Sequence, residues 1–283
     1  MVKEEKQRIS ERLREYCQQK GSQNKAANSL NGVSSATISA ILSGKWDLIS
    51  DDMWRGVASQ IGHDSRGWTL ANTAVSDKMR FTLENAKNES LVLAVTGFAG
   101  CGKSEAIKQF AERHRNVFHL CCSEYWNRRT FMQKLLQCMG TAYCGGTVSD
   151  MMDSIITTLK SMDSPLVVLD EADKLTDQVL YFFISLYNQL EGHCGIVMAS
   201  TPYLEKRLTR GVRLQKKGYE EIYSRLGRKF VKLNVINGED IAAVCVANGI
   251  TDRMMIKGII SESENDLRRV KRSIWARQMG GAR

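Results

Sequence analysis

Proline is almost absent: the chain of 283 residues has two, Pro165 and Pro202. Because proline breaks helices and fixes turns, this scarcity points to a mostly helical protein with few rigid turns. The eight cysteines (17, 101, 121, 122, 138, 144, 194 and 245) form no C-x-x-C pair and no Cys/His cluster with zinc spacing. That excludes a sequence-spaced zinc site and leaves free thiols in a reducing cytosol as the expectation. No run approaches the roughly 18 consecutive apolar residues that cross a bilayer, and MVKEEKQRIS has no signal-peptide apolar core. The expectation is a soluble, unexported, cytoplasmic protein with no membrane partner. Repeats and low-complexity tracts are absent as well.

What is present is ordinary globular usage, 43% hydrophobic and 25% charged, which argues against disorder. The length suits one large domain with one or two small ones. The net charge of +9 is unevenly spread. Residues 1–66 carry +2 and residues 67–202 carry −2. Residues 203–232 hold ten basic and three acidic residues, and the last sixteen hold six basic residues and no acidic one. Concentrated basic segments in a protein of pI about 9.1 point toward a polyanion.

Hydrophobic periodicity divides the chain into a short all-helical region 1–62 and a bridge and lead-in helix 63–90. An α/β region 91–236 and a helical region with a basic tail 237–283 follow. In the α/β region, Leu91–Thr96, Val117–Cys122, Leu166–Asp170, Gly195–Ser200 and Phe230–Leu233 read as strands separated by helix-length stretches. This is the pattern of a doubly wound core with a five-stranded parallel sheet.

Gly97-Phe98-Ala99-Gly100-Cys101-Gly102-Lys103-Ser104 fits G-x-x-x-x-G-K-[ST] between the strand LVLAV and the amphipathic SEAIKQFAERH. Gly97, Gly100 and Gly102 let backbone N–H groups face a phosphate, and the helix starting near Lys103 adds its positive end. Lys103 is placed to reach β- and γ-phosphates, and Ser104 to ligate Mg²⁺, with Cys101 and Glu105 completing the cradle. Leu166–Asp170 followed by Glu171 is the Walker B pattern. Asp170 is expected to hold Mg²⁺ and Glu171 to act as general base. One strand lies between the two motifs, which indicates the additional-strand class of P-loop ATPases.

Thr201, at the end of GIVMAS, is either a polar contact to the attacking water or an ordinary strand-to-turn residue. In YSRLGRK, Arg225 or Arg228 is placed to reach a neighbouring subunit's γ-phosphate, or both belong simply to the basic segment. ENDLRR opens the last helix.

This ordered set resembles the AAA+ ATPases over about 91–279. The resemblance implies that Arg225 is a trans-acting finger, Thr201 stands at sensor 1, where many relatives have Asn, and Arg268 is the sensor-2 arginine of a small helical lid. It also implies ATP and Mg²⁺ as ligands and self-association into a ring or helical filament.

At the N-terminus, Gln23–Leu30, a turn at Gly32 and Ser34–Leu42 read as helix, turn, helix, continued by a helix near Asp51–Ile61. Ser34 is a plausible N-cap, and Ser35, Ala36, Thr37 and Ser39 face outward, small enough to enter a major groove. The region resembles a phage-repressor helix-turn-helix, with Asn28 where that pattern has a small apolar residue. Both DNA contact and protein docking stay open for it.

A helix-turn-helix followed by a compact AAA+ domain resembles the Mu B-type transposition ATPases and, more loosely, those of Tn7-type and insertion-sequence elements. VSSATISAILSGKW, MRFTLENAKNESLVLAV, GKSEAI, LVVLDEAD, YSRLGRK and ENDLRR carry the match. The resemblance implies an ATP-dependent filament on double-stranded DNA, without sequence preference, that presents target DNA to a DDE transposase in a bacterial cell. Lys206, Arg207, Arg210, Arg213, Lys216 and Lys217 are expected phosphate contacts. Arg128 and Arg129, beside Tyr125 and Trp126, are expected backbone contacts facing a pore. Trp126 has packing under the next helix as its other reading. The alternatives are a helicase loader or replication initiator, and a nucleotide-switched helix-turn-helix regulator.

Overall fold

The computed structural model describes residues 1–63, 67–142 and 145–280. Cys144, counted above among the free thiols, and residues 281–283 of the basic tail lie outside these. Four helices come first: α1 (Lys3–Lys20), α2 (Gln23–Ser29), α3 (Ser35–Leu42) and α4 (Asp51–Gln60). Serine caps start three of them, with Ser22, Ser34 and Ser50 side chains accepting from the N–H groups of Lys25, Thr37 and Met53. Ile9, Leu13, Ile38, Ile41, Trp54 and Val57 close a core of their own.

The lead-in helix is α5 (Ala74–Asn88). A reciprocal Thr73–Ser76 capping box nucleates it. The α/β region then runs β1 (Val92–Thr96), α6 (Lys103–Arg113), β2 (Val117–Cys121), α7 (Arg128–Cys138), α8 (Val148–Lys160), β3 (Leu166–Asp170), α9 (Asp177–Leu190), β4 (Gly195–Ser200), α10 (Pro202–Arg213), α11 (Tyr219–Arg225) and β5 (Phe230–Lys232). Three helices finish the described chain: α12 (Gly238–Ala247), α13 (Arg253–Ser263) and α14 (Leu267–Gly280).

All five strands pair in parallel in the order β2-β3-β4-β1-β5. Strand periodicity sends alternate side chains to opposite faces. Val167, Leu169, Ile196 and Met198 join one core with α7–α11, whereas Leu166, Val168, Val197 and Ala199 join another with α5, α6 and α12–α14. The sheet is therefore covered on both faces, as parallel sheets require.

The N-terminal helices rest on the core through polar contacts. Arg12 pairs with Glu112 at 2.6 Å, Lys20 Nζ donates to the Cys138 carbonyl at 2.6 Å, and Gln19 donates to the Glu112 carbonyl. Asn28, the departure from the repressor pattern, donates its Nδ2–H to the Gly140 carbonyl at 3.2 Å. Gly140 has φ +71°, and a Cβ there would lie 2.6 Å from the Lys25 carbonyl oxygen, so only glycine permits this approach. Among the described residues, no helix is long and apolar enough to cross a membrane.

Candidate nucleotide-binding site

Ligands of open α/β sheets bind at the carboxyl ends of the strands. Here the ends of β1, β3 and β4, neighbours in the sheet, open onto a cavity of about 350 Å³. Gly100, Gly102, Lys103, Ser104, Glu105, Asp170, Glu171, Thr201 and Arg268 all line it. Segments 168 positions apart in the chain thus meet at one cavity.

The phosphate loop leaves β1 at Gly97, whose N–H donates to the Ser200 carbonyl at 3.1 Å. Gly100 and Gly102 have φ of +75° and +94°, and Gly102 caps α6. A Cβ on Gly100 would sit 2.1 Å from Asp266 Oδ1, because the start of the lid lies directly on the loop. The Leu267 N–H also donates to the Gly100 carbonyl at 2.9 Å. Lys103 is 9% exposed, and its Nζ donates to the Gly97 and Phe98 carbonyls at 2.7 and 2.8 Å. Cys101 is buried in the core beneath the loop rather than in the cavity wall.

Asp170 is 1% exposed. Burial alone pushes its pKa up, but hydrogen bonds from His119 and Ser104, the His119 charge and the Glu171 N–H together hold it below the usual carboxylate range. His119 Nε2 lies 3.4 Å from Asp170 Oδ2. A buried carboxylate kept ionised beside the Ser104 hydroxyl is a hard-oxygen pair suited to Mg²⁺. Glu171, at φ +55°, pairs with Lys174 at 2.5 Å. Burial and the two nearby carboxylates push the Cys121 thiol up to about 11, so it stays protonated and donates to Glu171 Oε2 at 3.6 Å.

Thr201 caps α10, accepting from the Tyr203 N–H at 3.3 Å, and its hydroxyl donates to Asp173 at 2.7 Å. The neighbouring Ser200 hydroxyl is buried without a hydrogen-bond partner and lines the same cavity. Arg225 is not part of this cavity's wall. It pairs with Glu221 at 3.4 Å and lies 5.1 Å from the Tyr187 ring centroid. Arg228 is exposed at φ +56°.

Of the expected DNA contacts, Arg128 and Arg129 are exposed where α7 begins, and Lys206, Arg210 and Arg213 are exposed along α10, with Lys216 and Lys217 just beyond it. Trp126 is buried under α7 in the core, which is its packing reading. Arg207 differs from its neighbours, and its expected role needs correction. Its guanidinium is turned inward to Asp177, Tyr219 Oη at 3.3 Å and the carbonyls of Asp173 and Leu175 at 3.3 and 2.7 Å. With its donors spent inside the protein, Arg207 ties α10 to α9 and α11 and is left out of the phosphate-contact set. Arg207→Ala is expected to cost about 1–3 kcal/mol by leaving those acceptors unpaired. Thermal unfolding checks this, with the exposed Arg210→Ala as the control that leaves Tm unchanged.

Sequence reasoning also missed Trp68, Thr69, His119 and Lys271. Trp68 and Lys271 line the cavity, with the Lys271 ammonium 4.8 Å from the rings of both Trp68 and Trp275. The only signal was a tryptophan in an otherwise polar bridge.

Residues 86–208 match the model of the AAA domain family. The chain is 26% identical over 196 residues to the Mu-like prophage FluMu DNA transposition protein B of Haemophilus influenzae, a match covering 68% of this chain and 66% of that protein. Its fold is similar to the crystal structure of Cdc6p from Pyrobaculum aerophilum, with a TM-score of 0.52 at 15% identity, over 73% of this chain and 62% of that one. The chain thus spans just under two thirds of the length of each. With its phosphate loop, Asp-Glu strand end and lid gathered on one five-stranded parallel sheet, the chain has a P-loop AAA-type fold and resembles the AAA domain family over residues 86–208 and the Mu-like transposition protein B.

Proposed function

We propose that the protein binds and hydrolyses ATP, assembles on double-stranded DNA without sequence preference and delivers that DNA to a DDE transposase, with hydrolysis driving disassembly. The observation that carries the reading is the convergence of Lys103, Ser104, Asp170, Glu171 and Arg268 on one cavity, in a chain that resembles a transposition protein B.

In this reading Lys103 exchanges its loop carbonyls for the β- and γ-phosphate oxygens. Ser104 and Asp170 hold Mg²⁺, which when bound neutralises charge on the phosphates. Glu171 takes a proton from the attacking water once its pairing with Lys174 opens. Thr201 orients that water and Arg268 reaches over the nucleotide from the lid. Arg225 acts on the neighbouring subunit's ATP. Arg128 and Arg129, with Lys206, Arg210, Arg213, Lys216 and Lys217, contact DNA phosphates, consistent with their exposure. The working division is a helix-turn-helix domain at 1–62, a lead-in at 63–90, the AAA+ domain at 91–236 and the lid and tail at 237–283. A cytoplasmic, nucleoid-associated location follows from the DNA partner.

Electron microscopy with random-sequence duplex DNA tests the reading. Continuous filaments with ATP, absent with ADP or without nucleotide, are expected; closed rings that ignore DNA would sink it. One observation favours a second reading. Ser35, Ala36 and Ser39 are exposed on α3, as sequence-specific contact by a regulator requires. A footprint confined to one sequence would select that alternative.

A further inference from the structure

A second cavity, sharing no wall residue with the first, lies between the N-terminal helices and the α6–β2–α7 side of the core. Its volume is about 630 Å³, within the roughly 300–1,000 Å³ range of small-molecule sites. Lys20, Lys25, Lys108 and Lys134 line it. Among the described residues, none of these four has a carboxylate within ion-pair distance. Among the described residues the one acidic wall residue, Glu112, is already held by Arg12 at 2.6 Å. Opposed surfaces thus concentrate uncompensated positive charge in a recess, where low-dielectric walls strengthen its field.

Tyr125 and Trp126 are among the aromatics in the same wall. Tyr125 is 79% exposed, a large ring with little to pack on. Trp126 is 6% exposed, yet its indole Nε1–H has no hydrogen-bond partner. A buried donor without an acceptor is rare in folded proteins and marks a place where a ligand atom or ordered water completes the structure.

We propose that this cleft binds a nucleotide-type ligand, its phosphate among the four lysines and its base against Tyr125, with an acceptor atom satisfying Trp126 Nε1. A flat ring accepts any base by stacking, whereas a bare inorganic anion leaves Tyr125 unused. The site does not rest on the transposition reading, and it has its own wall residues, although His119 and Cys121 of that wall touch Asp170 and Glu171 of the ATP cavity.

The test uses the full chain with its ATP cavity saturated by a non-hydrolysable ATP analogue and Mg²⁺. Thymidine monophosphate and the 5′-phosphorylated dinucleotide pTpT are titrated by calorimetry and by tryptophan fluorescence. Saturable binding is expected. Lys25→Gln and Lys134→Gln should each weaken it about tenfold and flatten its salt dependence, and Tyr125→Ala should weaken it without altering the lysine-dependent salt slope. Trp126→Phe should remove the fluorescence change. Binding of the mononucleotide as tightly as the dinucleotide assigns a free nucleotide. A dinucleotide at least tenfold tighter assigns the end of a nucleic-acid strand. No saturable binding, unchanged affinity in the Lys25→Gln/Lys134→Gln double variant, or equal binding of hexaglutamate would overturn the proposal.

Discussion

Glu171→Gln is expected to abolish steady-state ATP hydrolysis while ATP still binds, trapping the protein on DNA. The amide keeps the shape of the carboxylate and leaves Asp170, the Ser104 hydroxyl and the phosphate loop untouched. It cannot take a proton from water, and loss of a general base of this kind costs about 10²–10⁴-fold. Lys103→Ala is expected to fail at an earlier stage. Its ammonium is buried between the Gly97 and Phe98 carbonyls, ready to meet phosphate oxygens, so its loss should weaken ATP binding itself. Phosphate release and equilibrium binding of a fluorescent ATP analogue, measured on both variants, separate the two roles. If Glu171→Gln turns over ATP like the parent, the general-base assignment is wrong.

The second large effect concerns Arg225. Within its own subunit this side chain reaches Glu221 and the Tyr187 ring, not the nucleotide cavity. A guanidinium that stabilises transition-state charge is worth about 10³–10⁵ in turnover. If Arg225 supplies that charge to a neighbour, Arg225→Ala alone should be nearly inactive. Mixing it with Glu171→Gln should restore part of the activity, because the second variant keeps its arginine and can serve the intact site of the first. A structural role against Tyr187 gives no such rescue, so a flat mixing curve decides against a trans finger. Repeating the mixture with Arg228→Ala distinguishes the two arginines of YSRLGRK.

Some of this architecture was legible residue by residue. Each β-strand from β1 to β4 is a short apolar run bounded by turn or polar residues. Their alternate burial on two faces follows from the two-residue repeat of extended chain. Gly100, Gly102 and Lys103 announced the phosphate loop because that chemistry is packed into consecutive positions. The Ser34 cap of α3 acts within three residues, so it too could be read directly.

Other features involve partners far away in sequence. Asn28 looked like a flaw in a helix-turn-helix pattern until the fold brought Gly140 to its amide, 112 positions on. Arg207 looked like one more cation in a basic stretch. Asp177, Tyr219 and two carbonyls drew it inward, and hydrogen bonds to a charged side chain outweigh exposure to water when the geometry allows them. His119 gave no sign of its contact with Asp170, which arises because β2 and β3 are neighbours in register, Cys121 opposite Asp170. Thr69 and Asn248, 179 positions apart, exchange two hydrogen bonds that tie the bridge to α12. The cleft between the N-terminal helices and the core belongs to the same class, since its charge comes from lysines on four separate segments. Chemistry confined to a few adjacent residues can be read from their order. Chemistry that depends on which surfaces face each other is set by packing, because side-chain charge and hydrogen bonding act over a few ångströms of space and ignore distance along the chain.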